Sequence, residues 1–328
     1  MTTMTETDQV LDELRRADKL LLTSHENPDG DALGSLLGMH EVLRALGKDS
    51  VMIMSAGDLP LPHEYRDMPF AGLVTAPPAD LDERVVVFLD CGNIDRTPVG
   101  FLRGEGVHIL NIDHHHDNTR FGTVNLINAR ASCTAQIVFD LARGLGVELT
   151  AAIAEPLYVG LVTDTGRFSY ENTTAEAHHM AADLIEAGVE VHRVSRRLYE
   201  DLPYSRVSLL QHALANVYRF DGGAITATVL TREDFEQACA EETDAEGIID
   251  VLRSVEDTKV AMLVRERLTS DGDRMRKVSL RATNGSVDVS RVAREFGGGG
   301  HRQAAGFSSG LTVPELFARV RDEVAEQL

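Results

Sequence analysis

Short apolar runs alternate with longer stretches of helical periodicity in the first half of the chain. The runs at 20–24, 51–55, 84–90 and 107–113 are rich in Leu, Val, Ile and Met, and each of them stops at polar residues. Helical spacing of apolar residues marks 32–47, 132–146 (with Ser132 as the expected N-cap) and 153–168. Buried strands that alternate with helices predict an α/β fold with a doubly wound, mostly parallel sheet.

The second half of the chain has a different pattern. Residues 173–215 are predicted to form successive helices, and beyond about 217 strands are expected at 224–230, 259–268 and 276–282 with a helix at 245–255. We therefore predict a first domain at 1–190, a helical connector at 191–216 and a second, smaller α/β domain at 217–328.

Composition narrows the classes of function. The 328 residues carry a formal net charge of −20, which disfavours binding to a long nucleic-acid duplex but not to a small phosphorylated ligand. No apolar run reaches the roughly 20 residues of a membrane span, and the polar start MTTMTETDQV does not have the pattern of a secretory signal. Three widely spaced cysteines form no CxxC pair, so a cytoplasmic location is expected.

Ligand-type side chains follow several of the predicted strands and one helix. They are His25, Asp29, Asp31, Asp90, Asp113, His114, His115, His116 and Asp164. Each alone has an ordinary structural explanation, such as a helix cap for Asp31. Together they would lie at one edge of the sheet, where carboxylates and imidazoles repel one another unless a cation lies between them. The sequence therefore predicts a dinuclear metal site.

The order of these motifs is similar to that of DHH-family phosphoesterases. The motifs are HENPDGDALGS (25–35), FLD (88–90), DHHHDN (113–118) and TDTGRF (163–168). The segment 278–307, which ends in GGGGHRQAAGF, resembles the DHH-associated domain. The match covers nearly the whole chain and most resembles the bacterial oligoribonuclease and pAp phosphatase subgroup.

The resemblance implies a role for each residue of the metal site. One metal would be held by His25, Asp29 and Asp90, and a second by Asp31, Asp90, His114 and Asp164. Two divalent ions are implied, with Mn²⁺ favoured among Mn²⁺, Fe²⁺, Co²⁺ and Mg²⁺. His115 would face the substrate phosphate and protonate the leaving oxygen, Asp113 would orient an imidazole, and His116 falls at a variable position.

The resemblance also implies the reaction. A hydroxide between the two metals would attack phosphorus, so that a 3′–5′ exoribonuclease and phosphodiesterase converts short RNA and pApA to mononucleotides, and a phosphatase converts pAp to AMP. Chelation would abolish this activity. Relatives commonly dimerise through the first domain, so a homodimer is expected, with no membrane partner and no long duplex.

The second domain is expected to bind the substrate. Basic residues outnumber acidic ones at 261–302, and Arg281 could hold a phosphate through two parallel hydrogen bonds. Gly298, Gly299 and Gly300 could bring backbone N–H groups close to a ligand, with His301 beside them, although the four glycines could instead form a flexible hinge. Two departures from the family pattern are Gln136 for Glu and Ala282 for Ser.

Three other functions remain open at this point. A cyclic di-AMP phosphodiesterase would use the same centre, with the loop at 56–72 deciding access to a substrate that has no free end. A family II inorganic pyrophosphatase shares the first-domain motifs, but the arginine-bearing GGGH domain argues against it. A non-catalytic nucleotide sensor would be expected to have lost metal ligands, and here all six positions are filled.

Overall fold

The computed structural model describes residues 4–97, 99–104, 106–268, 275–300 and 302–328 and contains two compact units, 1–201 and 202–328. The helices of the first unit are α1 (Glu6–Arg16), α2 (Gly30–Ala45), α3 (Thr134–Gly144), α4 (Ala151–Asp164), α5 (Ala175–Glu186) and α6 (Val191–Tyr199). Its strands are β1 (Lys19–Thr23), β2 (Asp49–Ile53), β3 (Leu73–Val74), β4 (Val85–Leu89), β5 (Ile109–Asp113) and β6 (Val124–Ile127).

The six strands of the first unit form one parallel sheet in the order β3-β2-β1-β4-β5-β6. Alternate strand residues, such as Leu20, Val87 and Ile112, pack with helices α1 to α6 in one core. The opposite face, with Leu21 and Phe88, packs against the segments that follow β4. Successive strands are added to one side of β1 as far as β3 and then to its other side from β4 onward, so the strand order reverses between β1 and β4. Ligands bind at such a switch point in open α/β sheets.

Helices α2 and α4 approach each other unusually closely. A Cβ on Gly34 would lie 2.4 Å from the carbonyl oxygen of Pro156, and one on Gly160 would lie 2.7 Å from Cβ of Ala135 and 2.9 Å from Oδ1 of Asp31. Only glycine permits this contact. It brings the N-terminal end of α2, which carries Asp31, beside the C-terminal half of α4, which ends at Asp164.

The second unit is a smaller α/β domain. Its helices are α7 (Tyr204–Ala215), α8 (Arg232–Ala238), α9 (Ile248–Arg253), α10 (Val289–Glu295) and α11 (Val313–Ala325). Its strands are β7 (Val217–Phe220), β8 (Ile225–Leu230), β9 (Val260–Glu266), β10 (Arg276–Ala282), β11 (Gly299–Gly300) and β12 (Ala304–Ser309), in the order β11-β12-β10-β9-β8-β7. Among the described strands of this unit, only β8 and β9 pair in parallel.

The predicted fold class is confirmed. The structure also contains elements that the pattern did not predict: α1, β3 and β6 in the first unit, and β7, α8, α10, β11, β12 and α11 in the second. One predicted cap is wrong. Helix α3 begins at Thr134 after the N-cap Cys133, while the hydroxyl of Ser132 donates to the carbonyl of Asn172 at 2.6 Å. Among the described residues, no helix is both long and apolar enough to cross a lipid bilayer.

Candidate active site

The predicted ligand residues of the first unit come together at the carboxyl ends of three adjacent strands. The loop after β1 carries His25, Asp29 and Asp31, Asp90 follows β4, and His114 follows β5. Asp90 has a left-handed backbone (φ +58°), and its N–H donates to the carbonyl of Ile112 at 3.1 Å. A non-glycine residue held in this conformation at a strand end is typical of functional sites.

One group consists of His25, Asp29 and Asp90, which offer ligand atoms within 4.8 Å of one another. Nδ1 of His25 lies 2.8 Å from the carbonyl oxygen of Glu26, and Nε2 lies 3.6 Å from Oδ2 of Asp90. Nδ1 also lies 3.0 Å from Nη2 of Arg96, and Nε2 is the ring nitrogen that faces the carboxylate of Asp90. Oδ1 of Asp29 caps α2 by accepting from the N–H groups of Asp31 and Ala32, so Asp29, and not Asp31, is the cap.

A second group consists of Asp31, His114 and Asp164, again with ligand atoms within 4.8 Å. Nε2 of His114 lies 3.9 Å from Asp31, 3.7 Å from Asp90 and 3.7 Å from Asp164. The other ring nitrogen, Nδ1, lies 3.4 Å from the carbonyl of Ala131. Asp90 is therefore close to both groups; its role as a ligand shared by two metals, which the family resemblance implies, stays a prediction.

The histidines of the DHHHDN motif differ in position. Nδ1 of His115 lies 2.6 Å from Oδ1 of the fully buried Asp113, and 3.6 Å from Oδ1 of Asp90. Asp113 also accepts from the His114 N–H and from the side-chain amide of Asn118. His116 is exposed. His114 and His115 thus face the cluster, although His115 also forms a possible ligand group with Asp90 and His114.

Electrostatics at this cluster indicate a missing positive charge. Burial raises the pKa of Asp31 well above its ordinary value, and Asp90, Asp164 and Asp29 raise it further. Burial likewise raises the pKa of Asp164 to about 7. Burial would raise the pKa of Asp90 too, but the neighbouring imidazoles of His25, His115 and His114 hold it below its ordinary value. Buried carboxylates with mixed N/O donors fit a divalent cation.

Three polar residues that sequence reasoning did not single out hold the ligands in place. The N–H groups of Thr134 and Ala135 donate to Asp31 at 2.6 and 2.9 Å, so that Asp31 caps α3 from another helix. Thr134 Oγ1 donates to Asp90 Oδ1 at 2.9 Å. Asn118 bonds to Asp113, and Asn172 Nδ2 donates to the carboxylate of Asp164 at 3.1 Å. Asn118 lies within the motif already noted, so its position was a usable signal.

The predicted substrate-binding residues lie in the second unit. Arg281 is half-buried on β10, and its guanidinium donates to the carbonyl of Leu280 at 3.2 Å. Gly299 and Gly300 form the edge strand β11, which pairs with Gly306 and Ala305, so this part of the glycine run is not a free hinge. A Cβ on Gly298 would lie 2.2 Å from the carbonyl of Gly306, whereas one on Gly299 would meet open space. His301 lies outside the described residues.

Comparison with known families divides the chain in the same way. The model of the DHH family N-terminal domain matches residues 19–161, and the model of the DHHA1 domain matches residues 222–328. A bifunctional oligoribonuclease and PAP phosphatase NrnA from Thermus thermophilus is 37% identical over 314 residues, covering 94% of this chain and 90% of the relative. The NrnA of Bacillus subtilis is 25% identical and covers 89% of each chain.

Solved structures share the fold. An exopolyphosphatase-related protein from Bacteroides fragilis has a TM-score of 0.87 at 24% identity, covering 99% of this chain and 98% of its own. A crystal structure of the exonuclease RecJ bound to manganese has a TM-score of 0.55 at 16% identity, covering 98% and 95%. At these identities the likeness extends to the fold alone.

Proposed function

The chain belongs to the DHH family of phosphoesterases, and from that membership we propose that it hydrolyses short oligoribonucleotides and pAp. The products are mononucleotides, released from linear substrates such as pApA, and AMP, released from pAp. The relatives from Thermus thermophilus and Bacillus subtilis are named as oligoribonuclease and PAP phosphatase and are matched over nearly their whole length.

The observation that carries this proposal is the pair of ligand groups that meet at Asp90. His25, Asp29 and Asp90 would hold one divalent cation, and Asp31, Asp90, His114 and Asp164 a second. When bound, such a pair, with Mn²⁺ favoured, activates water and neutralises charge on the phosphoryl oxygens. The metal groups draw on Asp and His side chains, and no nucleophilic serine or cysteine is required.

The residues around the metal groups handle the proton and the geometry. A hydrogen bond between Nδ1 of His115 and Asp113 leaves Nε2 as the ring atom that can give a proton to the leaving ester oxygen. Burial alone would lower the pKa of His115, but the bond to Asp113 and the charge of Asp90 raise it to about 9, which keeps the ring protonated near neutral pH. Asp113 would thus orient and charge the imidazole.

The division of labour follows the sequence prediction. Residues 1–190 would carry catalysis, 191–216 would connect, and 217–328 would bind the substrate through Arg281, the Gly298–Gly300 segment and His301. The acidic surface supports small substrates over long duplexes. Free cysteines, two of them buried, are consistent with a reducing cytoplasm, and a homodimer is proposed from the family resemblance.

Turnover by the purified chain tests the proposal. With Mn²⁺, pApA and pAp should be hydrolysed and cyclic di-AMP much more slowly, because an exonuclease needs a free end. Excess EDTA should abolish activity, and added Mn²⁺ should restore it. Activity that persists without metal would overturn the metal assignment. Cleavage of pyrophosphate with none of the nucleotides would overturn the substrate assignment.

A further inference from the structure

One face of β10 carries three polar side chains, none of which has an acidic hydrogen-bond partner among the described residues. Residues Lys277, Ser279 and Arg281 alternate along the strand, so they point to the same face of the sheet. We call them the basic row. The opposite face of β10 is apolar, because Val278 and Leu280 are buried in the core under α10 and α11.

The side chains of the basic row are available for a ligand. In the part of the chain that the structure describes, the side chains of Lys277 and Ser279 form no hydrogen bond or ion pair, and the guanidinium of Arg281 donates only to the carbonyl of Leu280. All three are half-buried. The hydrophobic cluster that packs beneath α7, α8 and α9 takes its buried strand residues from β8 and β9 and includes none from β10 or β12.

The neighbouring strand leaves room beside the row. Ser279 pairs with Gly306 and Arg281 with Ala304 on β12, and these small residues present little side chain to that face. Lys277 pairs with Ser308 on one side and with Arg265 on the other. The basic row therefore has Ser279 in the middle and a basic side chain at each end, and small residues of β12 lie beside Ser279 and Arg281.

The side chain of Lys277 has no hydrogen-bond acceptor among the described residues. Burial and the charge of Arg265 lower the pKa of Lys277, whereas the charges of Glu246 and Glu242 raise it. The nearest acids are already engaged: Glu242 accepts from the N–H of Leu268 at 2.8 Å, and Glu246 lies 3.6 Å from Arg265. A half-buried ammonium group without an acceptor is costly, and a phosphate oxygen would supply the acceptor.

The spacing of the row suits a single-stranded phosphodiester chain. Side chains on the same face of a strand recur about every 6.7 Å, so Lys277 lies about 13 Å along β10 from Arg281. Arg281 is next to the glycine-rich segment through its pairing with β12, whereas Lys277 lies at the far end. A ligand held at Arg281 must therefore continue for more than one nucleotide unit to contact Lys277.

We propose that the basic row is a phosphate-binding track in which Lys277 contacts the backbone of RNA substrates longer than a dinucleotide. This inference rests on the proposed function and deepens it. It assigns a residue that contributes to the affinity for substrates of three or four nucleotides but not to the affinity for pAp. Ser279 would donate to the intervening phosphate. Lys277 would thus act on binding of longer substrates and leave the chemistry unchanged.

The test compares Lys277→Met with Arg276→Gln in the full-length chain. Both remove one positive charge from the same strand, but Arg276 faces the other way and donates to the carbonyl of Leu311. Binding of a labelled tetra-adenylate is measured in EDTA by fluorescence anisotropy over a salt series, with pAp as competitor. Turnover of pApA with Mn²⁺ is measured separately.

For Lys277→Met we expect about tenfold weaker tetra-adenylate binding and a salt slope smaller by about 0.7, with pAp affinity unchanged. Arg276→Gln should leave both quantities at the wild-type value. An unchanged tetra-adenylate affinity, an equal loss for pAp, or the same loss in Arg276→Gln would overturn the track. Failure of the wild type to bind tetra-adenylate would overturn it too, whereas failure to hydrolyse pApA would overturn only the proposed function.

Discussion

The proposed metal centre and the basic row hold their polar groups in opposite ways. At the centre, the proposed ligand side chains are also held by nearby backbone groups. His114 contacts the carbonyl of Ala131, and Asp31 accepts hydrogen bonds from two N–H groups at the start of α3. In the row, Lys277 and Ser279 have no such support among the described residues. One region is fixed before substrate arrives, and the other is free to adjust.

This difference corresponds to two tasks. Bond cleavage requires reacting groups held within a fraction of an ångström, so that their supporting contacts matter as much as the groups themselves. Binding the repeating backbone of a short RNA requires charge and reach, which flexible side chains on an open strand provide. Changes in the first unit should therefore act mainly on kcat and on metal affinity, and changes in the second unit mainly on KM.

The largest effect is expected at Asp90, which lies in both ligand groups. Asp90→Asn keeps the shape but removes the charge, so both cations should bind weakly and kcat/KM for pApA should fall by about 10³-fold or more. Metal content by plasma mass spectrometry and turnover with Mn²⁺ measure this. Without metal, the free energy of unfolding of Asp90→Asn should be no lower than that of the wild type, because the substitution removes one charge from a group of carboxylates that repel one another.

His116→Asn is the matched control for that substitution. The side chain of His116 is exposed and belongs to none of the ligand groups found among the described residues, so activity and metal content should stay near the wild-type value. Retention of two metal ions by Asp90→Asn would show that the two groups do not share this ligand, and the comparison between a fixed centre and an adaptable row would lose its strongest support.

Arg281→Ala should have the next largest effect, and of a different kind. Loss of a charged phosphate contact should raise KM for pAp and pApA by about 30-fold while kcat changes little. Arg281→Lys should lie between the two, since the charge remains but the two-pronged geometry is lost. A fall in kcat with constant KM would place Arg281 in the chemistry and remove the contrast between the units.

Sequence patterns predicted the location of the centre better than its support. The polar residues at the ends of the apolar strands could be predicted to form one cluster, because the alternation of strands and helices indicated a parallel sheet and parallel strands end at the same edge. The partners of Asp31 were not, since Thr134 and Ala135 lie more than a hundred residues away and reach Asp31 only through the packing of α2 against α3 and α4. The expected Ser132 cap was wrong for the same reason: the distant carboxylate of Asp31, and not the local hydroxyl of Ser132, accepts from the first N–H groups of α3.

In the second unit, the sequence pattern predicted the central strands but not the strand formed by the glycine run. Strands β8, β9 and β10 followed from their apolar patterns, but the glycine run gave no sign of pairing, because glycine carries no side chain to alternate. Strand β6 was missed since it is short and only Leu126 is buried, and α1 was missed because only Val10 and Leu14 of its charged sequence reach the core. Tertiary contacts, not local preference, form these elements.

Thr134→Val should have a moderate effect confined to the centre. The valine keeps the volume and the backbone N–H to Asp31 but loses the hydroxyl that donates to Asp90, so metal affinity measured by titration calorimetry should fall by about tenfold. Thr134→Ser retains the donor and should restore affinity. Equal losses in the two variants would mean that packing, and not the hydrogen bond, holds Asp90.

The smallest effect is expected at Gly299, which tests whether the glycine run serves structure or ligand. A Cβ there meets open space, so Gly299→Ala should change the free energy of unfolding by no more than about 0.5 kcal/mol, whereas Gly298→Ala, which would collide with the carbonyl of Gly306, should cost about 1–3 kcal/mol. Urea unfolding measures both. If Gly299→Ala also leaves KM for pAp unchanged, substrate does not approach that backbone; a raised KM at constant stability would mean that this part of β11 contacts the ligand directly.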